Sequence, residues 1–329
     1  MDKVTVIAPA KINLSLDITG VDDRGYHLLD MIMQSVSLFE RVTVIKKDSE
    51  ITMSSNAKYI PTDSKNVAVK AAMLFFEYTG ISGGVHIHIK KTVPIKAGMA
   101  GGSADAAGVI VGLDKLYDTN LTKEQMCEIG AKAGSDVPFM IMGGTKRVQG
   151  VGDIILPCPS MPKCHIVICM PKKGVSTPAA FANYDAMGEK TLVETDKLVA
   201  AMEAENIYDV AKYMANDLEK AAGSEDTQPI KQQLIEQGAI GSVMTGSGAA
   251  VFGIFDDEEK ARQAVEFFRG SLRSVFLAKP VNYGAVIAKN KDPRKREPIP
   301  PHLRGIFIAD FVIPLSIYIW FSKPYNIIF

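Results

Sequence analysis

Hydrophobic and polar residues alternate along the N-terminal part of the chain. Residues 3–8 and 9–18 predict two consecutive strands, residues 28–44 a third and residues 84–91 a fourth, because alternation with a period of two is typical of half-buried strands. In the second strand, one face is predicted to carry the polar side chains and the other the apolar ones. The two predicted faces are Lys11, Asn13, Ser15 and Asp17, and Ile12, Leu14, Leu16 and Ile18.

Helical patterns follow these strands. Residues 63–66 predict a helix N-terminus before a helix over 67–78, and the Ala- and Val-rich residues 106–117 predict a buried helix. Thr122 is predicted to cap a further helix that ends before Gly134. Together these elements predict an α+β fold whose helices pack on one face of a largely antiparallel sheet.

The second half of the chain predicts another lobe. A buried strand at 165–171 leads through a loop into a helix, with Thr177 as the predicted N-cap and Pro178 at the first helical position. A second glycine turn at 244–250 precedes the last strands. The remaining predicted elements are helices at about 195–204, 207–221, 226–238 and 257–270 and strands at 251–255 and 274–277.

The length of 329 residues favours more than one domain. A loop at 157–162 marks the predicted boundary between an N-terminal lobe, residues 1–155, and a C-terminal lobe, residues 156–290. Residues 291–329 fit neither lobe, because a charged, proline-rich linker precedes an apolar run that is too short for a spanning helix and contains Asp310. We expect a docking or poorly ordered extension of unknown role, with membrane contact as the less favoured alternative.

The overall charge argues against two classes of partner. Lys plus Arg and Asp plus Glu each number 37, so no net field attracts nucleic acid or an anionic membrane. An anionic ligand must therefore be held by local geometry. The four cysteines lack C-x-x-C spacing and are predicted to be free, buried thiols of a reducing compartment. No signal or transit peptide is apparent, so the expected location is the cytoplasm.

A glycine-rich segment from Pro94 to Ala107 lies between a predicted strand and a predicted helix. Its glycines let a ligand approach the backbone closely, and the helix start adds unpaired N–H groups and the positive end of the helix dipole. These properties predict a phosphate site. The segment matches neither G-x-x-x-x-G-K-[ST] nor G-x-G-x-x-G, so a simple turn remains the alternative.

Three features outside this segment have both an ordinary and a functional interpretation. Lys11, taken alone, is more simply a solvated strand lysine. Asp136 is an N-cap or turn residue, or else a carboxylate that points inward from the start of an apolar helix. The pair Tyr26–His27 anchors a loop on the core, or else offers a ring for stacking and an imidazole for hydrogen bonds.

Four segments taken together resemble the galactokinase, homoserine kinase and mevalonate kinase superfamily: residues 9–14, 94–107, 134–138 and 245–248. Their order and spacing resemble more narrowly the bacterial 4-diphosphocytidyl-2-C-methyl-D-erythritol kinases, over about residues 1–288. The resemblance implies a two-lobed α+β small-molecule kinase fold, with an N-terminal lobe like ribosomal protein S5 and a ferredoxin-like C-terminal α/β lobe. It implies transfer of the ATP γ-phosphate to the 2-hydroxyl of the methylerythritol unit, in the non-mevalonate route to isoprenoid precursors.

The resemblance also implies roles for single residues. Asp136 corresponds to the general base and Lys11 to its partner beside the reacting hydroxyl, with ATP and Mg²⁺ as cofactors and no protein ligand assigned to the metal. Asn66 and Lys91 correspond to contacts around the adenosine. The residues implied near the ATP phosphates are Pro94, Ala97, Gly98, Met99, Ala100, Gly101, Gly102, Ser103, Ala104, Gly246, Ser247 and Gly248.

The implied acceptor is a small molecule linked to cytidine diphosphate. The resemblance implies that Tyr26 and Phe181 sandwich its cytosine ring and that His27 contacts the hydrogen-bonding edge of that ring. It also implies that Asn13 binds the substrate diol and that Thr177 and Pro178 belong to the neighbouring substrate loop. The implied acceptor-binding residues are Asn13, Tyr26, His27, Thr177, Pro178 and Phe181. A monomer or weak homodimer is expected.

Two alternatives to this function remain open. A mevalonate or homoserine kinase of the same superfamily would not need Tyr26, His27 and Phe181 for a cytosine ring. A non-catalytic sensor on this fold would not need both Lys11 and Asp136. The sequence departs from the family pattern at Ala104, where a second hydroxyl is frequent, and mildly at Ala249, where proline is frequent.

Overall fold

The computed structural model describes residues 1–188 and 190–288. Residues Met1–Ala288 form one compact unit, and the predicted linker and apolar extension at 291–329 lie outside the described residues. The strands are β1 (Lys3–Val21), β2 (His27–Lys47), β3 (Ile51–Ser55), β4 (Gly84–Lys90), β5 (Thr145–Gly150), β6 (Ile154–Pro157), β7 (His165–Met170), β8 (Ala215–Asn216), β9 (Gly241–Met244), β10 (Val251–Phe255), β11 (Ser274–Ala278) and β12 (Val286–Ile287).

These strands form two sheets. The larger sheet has the order β12-β1-β2-β4-β3, with β5 paired to β2, β6 to β5 and β8 to β1. It is antiparallel except for the β1–β8 and β3–β4 pairs. The smaller sheet has the order β11-β7-β10-β9 and is antiparallel throughout. Because its strands follow the chain as fourth, first, third and second, it has the predicted ferredoxin-like arrangement. Since β8 and β12 return to the larger sheet, the predicted boundary at residue 155 stays a prediction.

The helices surround these sheets. Helix α2 packs on β1 and β2, and its two internal glycines explain the close approach: a Cβ at Gly108 would lie 2.7 Å from Val42, and one at Gly112 would lie 2.9 Å from Val44. The helices are α1 (Val67–Thr79), α2 (Gly101–Tyr117), α3 (Lys123–Ala133), α4 (Val137–Met142), α5 (Thr177–Met187), α6 (Thr195–Glu203), α7 (Ile207–Tyr213), α8 (Leu218–Ala221), α9 (Thr227–Glu236) and α10 (Glu258–Phe268).

The predicted strands at 3–8 and 9–18 are one continuous strand, β1. Its register with β2 shifts between Asn13 and Ser15, which marks a β-bulge and moves the following residues to the other face. Accordingly, Ile12 packs in one hydrophobic cluster and Leu16 in the other. The prediction that Lys11 to Asp17 keep one polar face is therefore wrong beyond the bulge.

Two further local predictions differ from the structure. The predicted helix over 207–221 is interrupted, since α7 ends at Tyr213 and the short strand β8 precedes α8. The N-cap of α5 is Ser176 rather than Thr177. The predicted cap Thr122 is confirmed, because it accepts a hydrogen bond from the backbone of α3. The helix start predicted over 63–66 is also confirmed, and its N-cap is Asn66.

The chemistry of the thiols follows from where they lie. Cys164 and Cys169 are buried and Cys127 and Cys158 are half-buried, and all are free, so only the first two are fully buried as predicted. Burial raises the pKa of the Cys164 and Cys169 thiols to about 12, which keeps them protonated and unreactive. Within residues 1–188 and 190–288, every helix is too short or too polar to cross a membrane.

Candidate functional site

A cavity of about 360 Å³ brings together most of the residues that the sequence singles out. Its volume is typical of small-molecule sites. The predicted residues that line it are Lys11, Asn13, Lys91, Pro94, Ala97, Gly98, Met99, Ala100, Gly101, Gly102, Asp136, Thr177, Phe181, Gly246 and Ser247. Its lining also contains residues that were not named individually as site residues from the sequence, namely Leu16, Leu29, Met31, Ile95, Lys96, Ser135, Val151, Gly152 and Leu218.

Seven predicted site residues do not line this cavity. They are Tyr26, His27, Asn66, Ser103, Ala104, Pro178 and Gly248. Ser103 and Ala104 belong to the first turn of α2, so they follow the lining residues directly. The side chain of Asn66 caps α1 through a 2.9 Å hydrogen bond from Ala68 N, so its amide is already engaged locally.

The glycine-rich segment presents the start of helix α2 to the cavity. Ala100 is the N-cap, in the left-handed conformation at φ 54°, and its methyl group offers no acceptor for the first N–H groups of the helix. These donors and the helix dipole favour an anion. A Cβ at Gly102 would meet no atom within 4 Å, so this position leaves open space. The loop therefore has the geometry of a phosphate cradle.

The second glycine turn docks directly on the first. Gly98 has φ +72°, and a Cβ there would lie 2.0 Å from the carbonyl oxygen of Thr245. The Thr245 hydroxyl donates to Gly98 O at 3.3 Å and accepts from Asn13 N at 3.0 Å. A Cβ at Gly246 would lie 3.1 Å from the Lys11 ammonium. The two turns and the polar part of β1 thus form one wall of the cavity.

Asn216 and Asp217, which the sequence analysis missed, support this wall from behind. Asn216 Nδ2 donates to Met244 O and to Gly246 O, each at 2.8 Å. Asp217 accepts from the Tyr184 hydroxyl at 2.7 Å and from Thr191 N at 2.7 Å. Both are buried. At the break of the predicted helix over 207–221, Asn216 lies on β8 and Asp217 precedes α8.

Lys11 is buried in the cavity wall. Its ammonium donates to Asn13 Oδ1 at 2.5 Å, and its backbone N–H donates to Met99 O at 3.3 Å. Burial lowers the pKa of Lys11, and the attraction of Asp136 partly opposes that lowering. A buried lysine beside one carboxylate is the opposite of the solvated strand lysine that its sequence context alone favours.

Asp136 precedes helix α4, and its side chain makes no capping hydrogen bond within the described chain. Its backbone is helical, at φ −79° and ψ −12°, and its carbonyl accepts from Met140 N at 3.1 Å. The side chain is therefore not consumed as a cap. With Lys11, it lines the cavity that the start of α2 also lines.

Lys91 lies at the cavity but belongs to a buried charge cluster. Its ammonium contacts Glu40 Oε1 at 2.5 Å and Asp105 Oδ2 at 2.7 Å. Glu40 lies beneath the start of α2, since a Cβ at Gly101 would lie 3.2 Å from Glu40 Oε1. Burial, with the nearby Glu40 charge, raises the pKa of Asp105 to about 8. One ammonium bridges these two acidic side chains and holds the cluster together, and neither acidic residue was predicted from the sequence as a site residue.

Aromatic residues lie at the start of β2 and on α5. The His27 and Phe181 rings have centroids 4.7 Å apart, and His27 Nε2 lies 2.7 Å from Asp185 Oδ1. Tyr26 is 60% exposed. The ring of Tyr26 is therefore accessible, with the Arg24 guanidinium 5.3 Å from its centroid.

Helix α5 is also tied to the second glycine turn. The hydroxyl groups of Thr177 and Ser247 share a hydrogen bond of 2.7 Å. Pro178 occupies the first turn of the helix. The link places the start of α5 against the wall that holds Lys11.

The metal chemistry of the cavity is limited. Among residues 1–188 and 190–288, no three His, Cys, Asp or Glu side chains cluster as a metal cage would require. Magnesium is commonly held by one or two carboxylates together with substrate phosphates. Asp136 is the one carboxylate among the described lining residues, so the donor set fits a magnesium ion that arrives with a nucleotide.

Comparison with known proteins assigns the chain to a family. The models described as GHMP kinases N terminal domain and GHMP kinases C terminal match residues 66–144 and 198–273. A 4-diphosphocytidyl-2-C-methyl-D-erythritol kinase of Clostridium perfringens is 41% identical over 280 residues, 84% of this chain and 97% of that protein. The chain belongs to the GHMP kinase family. A second relative of the same name, from Acetivibrio thermocellus, is 39% identical, over 85% of this chain and 100% of that protein.

Solved structures agree with this GHMP kinase assignment. A 4-(cytidine 5'-diphospho)-2C-methyl-D-erythritol kinase superposes with a TM-score of 0.72 at 28% identity, over 84% of this chain and 98% of that chain. Homoserine kinase from Cytophaga hutchinsonii gives a TM-score of 0.71 at 17% identity, over 88% and 98%, which shows a common fold. The predictions of the family, of the two-lobed α+β fold and of an ATP-dependent small-molecule kinase are therefore confirmed.

Proposed function

We propose that this GHMP kinase transfers the γ-phosphoryl group of ATP to the 2-hydroxyl of 4-diphosphocytidyl-2-C-methyl-D-erythritol. The observation that carries the proposal is that Lys11, Asp136 and the start of α2 line one cavity. The acceptor is supported by the names of relatives that are 39–41% identical over nearly their whole length.

The proposed chemistry needs one base and one cation. The acceptor hydroxyl oxygen attacks the γ-phosphorus, its proton passes to the Asp136 carboxylate, and the bond from the γ-phosphorus to the bridging oxygen breaks, so that ADP leaves. Lys11 stabilises negative charge at the transferring group. Burial of Lys11 strengthens this effect, because the surrounding dielectric is low.

The nucleotide phosphates are assigned to the start of helix α2. Backbone N–H groups of Gly101, Gly102 and Ser103 point away from the helix and can donate to phosphate oxygens. Magnesium bound to ATP would neutralise phosphate charge, and it would be held mainly by phosphate oxygens and water. The loop that leads into this helix is docked through Gly98 on Thr245 and Gly246.

The cytidine end of the acceptor is assigned to the aromatic residues. Tyr26 offers an exposed face and Phe181 a ring that lines the cavity, and such faces suit stacking on a planar base. His27, packed on Phe181, can contact the base edge. Asn13 lies next to Lys11 in the wall, where it suits the hydroxyl groups of the methylerythritol unit.

A coupled ADP-release assay tests the proposal. We expect turnover with the diphosphocytidyl substrate and little with mevalonate or homoserine at equal concentration. Faster turnover of mevalonate or homoserine would assign the chain to another acceptor. If none of the three acceptors causes ADP release, a kinase of this class is refuted. Phosphorylation at the 2-hydroxyl is confirmed by ³¹P NMR of the product.

A further inference from the structure

The positive charges that line the cavity are not equivalent. Of the three lysines in the described lining, Lys11 is hydrogen-bonded to Asn13 and attracted by Asp136. Lys91 contacts the buried carboxylates of Glu40 and Asp105. Both ammonium groups therefore already have protein partners that balance their charge.

Lys96 is the third lining lysine, and its ammonium has no carboxylate or hydrogen-bond partner in the part of the chain that the structure describes. Its side chain is exposed to the cavity and the solvent. The sequence analysis did not assign it a role. A lysine without a counter-charge beside a phosphate-binding loop is available to a bound anion.

The backbone fixes where Lys96 can reach. It has φ 55°, a conformation that non-glycine residues rarely adopt, and its carbonyl accepts from Ala249 N at 3.3 Å. A Cβ at Gly174 would lie 2.7 Å from Lys96 Cβ and 3.6 Å from Lys96 Cδ, so the alkyl chain lies along the loop that leads into α5. Lys96 thus lies where the two glycine turns meet the loop that leads into α5.

We propose that Lys96 binds phosphate oxygens of the bound substrates at this junction. The inference deepens the proposed function and rests on it: ATP and a diphosphate-linked acceptor are both polyanions, and the other lining lysines are already balanced by carboxylates. The shared chemistry is the phosphate group, and its source is the nucleotide or the acceptor diphosphate. The flexible lysine makes this a point-charge contact, which an arginine can replace.

Three variants of the full chain test this role. Lys96→Gln removes the charge and keeps much of the side-chain length, and Lys96→Arg keeps the charge. Lys70→Gln removes a charge from the exposed face of α1, at a residue that does not line the cavity. We expect Lys96→Gln to raise the KM of a phosphate-bearing substrate about tenfold, the size of one charge-assisted contact. Lys96→Arg should restore most of the loss, and Lys70→Gln should leave KM unchanged.

Separate binding measurements identify the source of the phosphate. Calorimetric dissociation constants for ADP and for CDP are compared at low and high salt, because a contact between exposed charges weakens with ionic strength. A loss for ADP alone assigns Lys96 to the nucleotide, and a loss for CDP alone assigns it to the acceptor. Equal KM values and dissociation constants for Lys96→Gln and Lys70→Gln would overturn the inference.

These readouts also separate this inference from the proposed function. If the wild-type protein fails to phosphorylate the diphosphocytidyl substrate, the proposed function fails, whereas weaker ADP binding by Lys96→Gln would still support a phosphate contact. If turnover is normal and neither ligand binds more weakly, the role of Lys96 is refuted alone.

Discussion

Gly98 and Thr245 are in direct backbone contact across the two glycine turns. A side chain at Gly98 would place its Cβ 2.0 Å from the carbonyl oxygen of Thr245, and Thr245 also donates its hydroxyl to Gly98 O. The residues are far apart in sequence, yet this contact sets the wall that carries Lys11. Glycine is required here for space and for its positive φ.

The contrast between Gly98 and Gly102 is the first prediction. Gly98→Ala should lower the free energy of unfolding by about 2–4 kcal/mol, because strain at positive φ adds to overpacking. Gly102→Ala should leave stability nearly unchanged, since its Cβ would meet nothing within 4 Å, and should instead raise the KM for ATP by filling space near the helix start. Urea unfolding and steady-state kinetics measure the two effects.

Each glycine variant is the control for the other. Both add one methyl group to the same loop, so a general sensitivity of the loop would lower stability in both. Equal losses of stability would contradict the close contact of Gly98 with Thr245.

The second prediction concerns the assigned base. Asp136→Asn should lower kcat by about 10²–10⁴-fold, because the amide cannot accept the hydroxyl proton, while ATP binding stays nearly intact. Rapid-quench measurement of the chemical step and a nucleotide dissociation constant separate the effects. Asp153→Asn, on the exposed turn after β5, is the matched control. A near-normal kcat for Asp136→Asn would show that another group is the base.

The third prediction tests the support behind the second glycine turn. Asn216→Ala leaves the carbonyl groups of Met244 and Gly246 without their side-chain donor. We expect a loss of about 1–3 kcal/mol in unfolding free energy, together with a lower kcat because Gly246 lies beside the Lys11 ammonium. Differential scanning fluorimetry and turnover rates provide the measurements.

Asn183→Ala is a control for Asn216→Ala. Asn183 also donates to a backbone carbonyl, Ala221 O at 3.0 Å, but it does not line the cavity. We therefore expect Asn183→Ala to leave the turnover rate nearly unchanged. If Asn216→Ala retains wild-type turnover and stability, the wall does not depend on that amide.

The fourth prediction is a pH dependence of stability. The pKa of Asp105 is raised to about 8 in the folded protein from 3.8, so between these values the folded state holds a proton that the unfolded state has lost. The contribution of this group to the free energy of unfolding is therefore full below about pH 4. It falls as the pH rises and is lost above about pH 8. The asparagine of Asp105→Asn cannot titrate. We expect this variant to show a smaller decline than wild type when the free energy of unfolding is measured by urea unfolding at a series of pH values.

The comparison with wild type cancels the titrating groups that do not interact with Asp105. Glu40, whose pKa burial also raises, interacts with Asp105, so the difference between the two curves describes the pair. Glu77→Gln, on the exposed side of α1, should keep the wild-type slope. Parallel curves for wild type and Asp105→Asn from about pH 5 to 8 would mean that Asp105 is ionised in the folded protein throughout that range.

Local sequence signals predicted much of the fold, since periodicity and capping are properties of neighbouring residues. The helix start at residues 63–66 and the cap Thr122 were predicted correctly from such signals, whereas the ferredoxin-like sheet was implied by the family resemblance. The bulge after Asn13 was not, because it depends on how β1 pairs with β2. The break at Asn216 was missed for a similar reason: its partners lie on β9 and the second glycine turn.

The sequence by itself determined the chemistry available to this protein: a glycine-rich turn before a helix, a lysine on the first strand and an aspartate before an apolar helix. Only the tertiary structure decided which of these groups share a cavity and in what state. It buried Lys11 beside Asp136, engaged Lys91 with Glu40 and Asp105, and left Lys96 without a counter-charge in the described chain. The physical reason is that charge balance and burial depend on contacts between residues distant along the chain, which local sequence patterns do not predict.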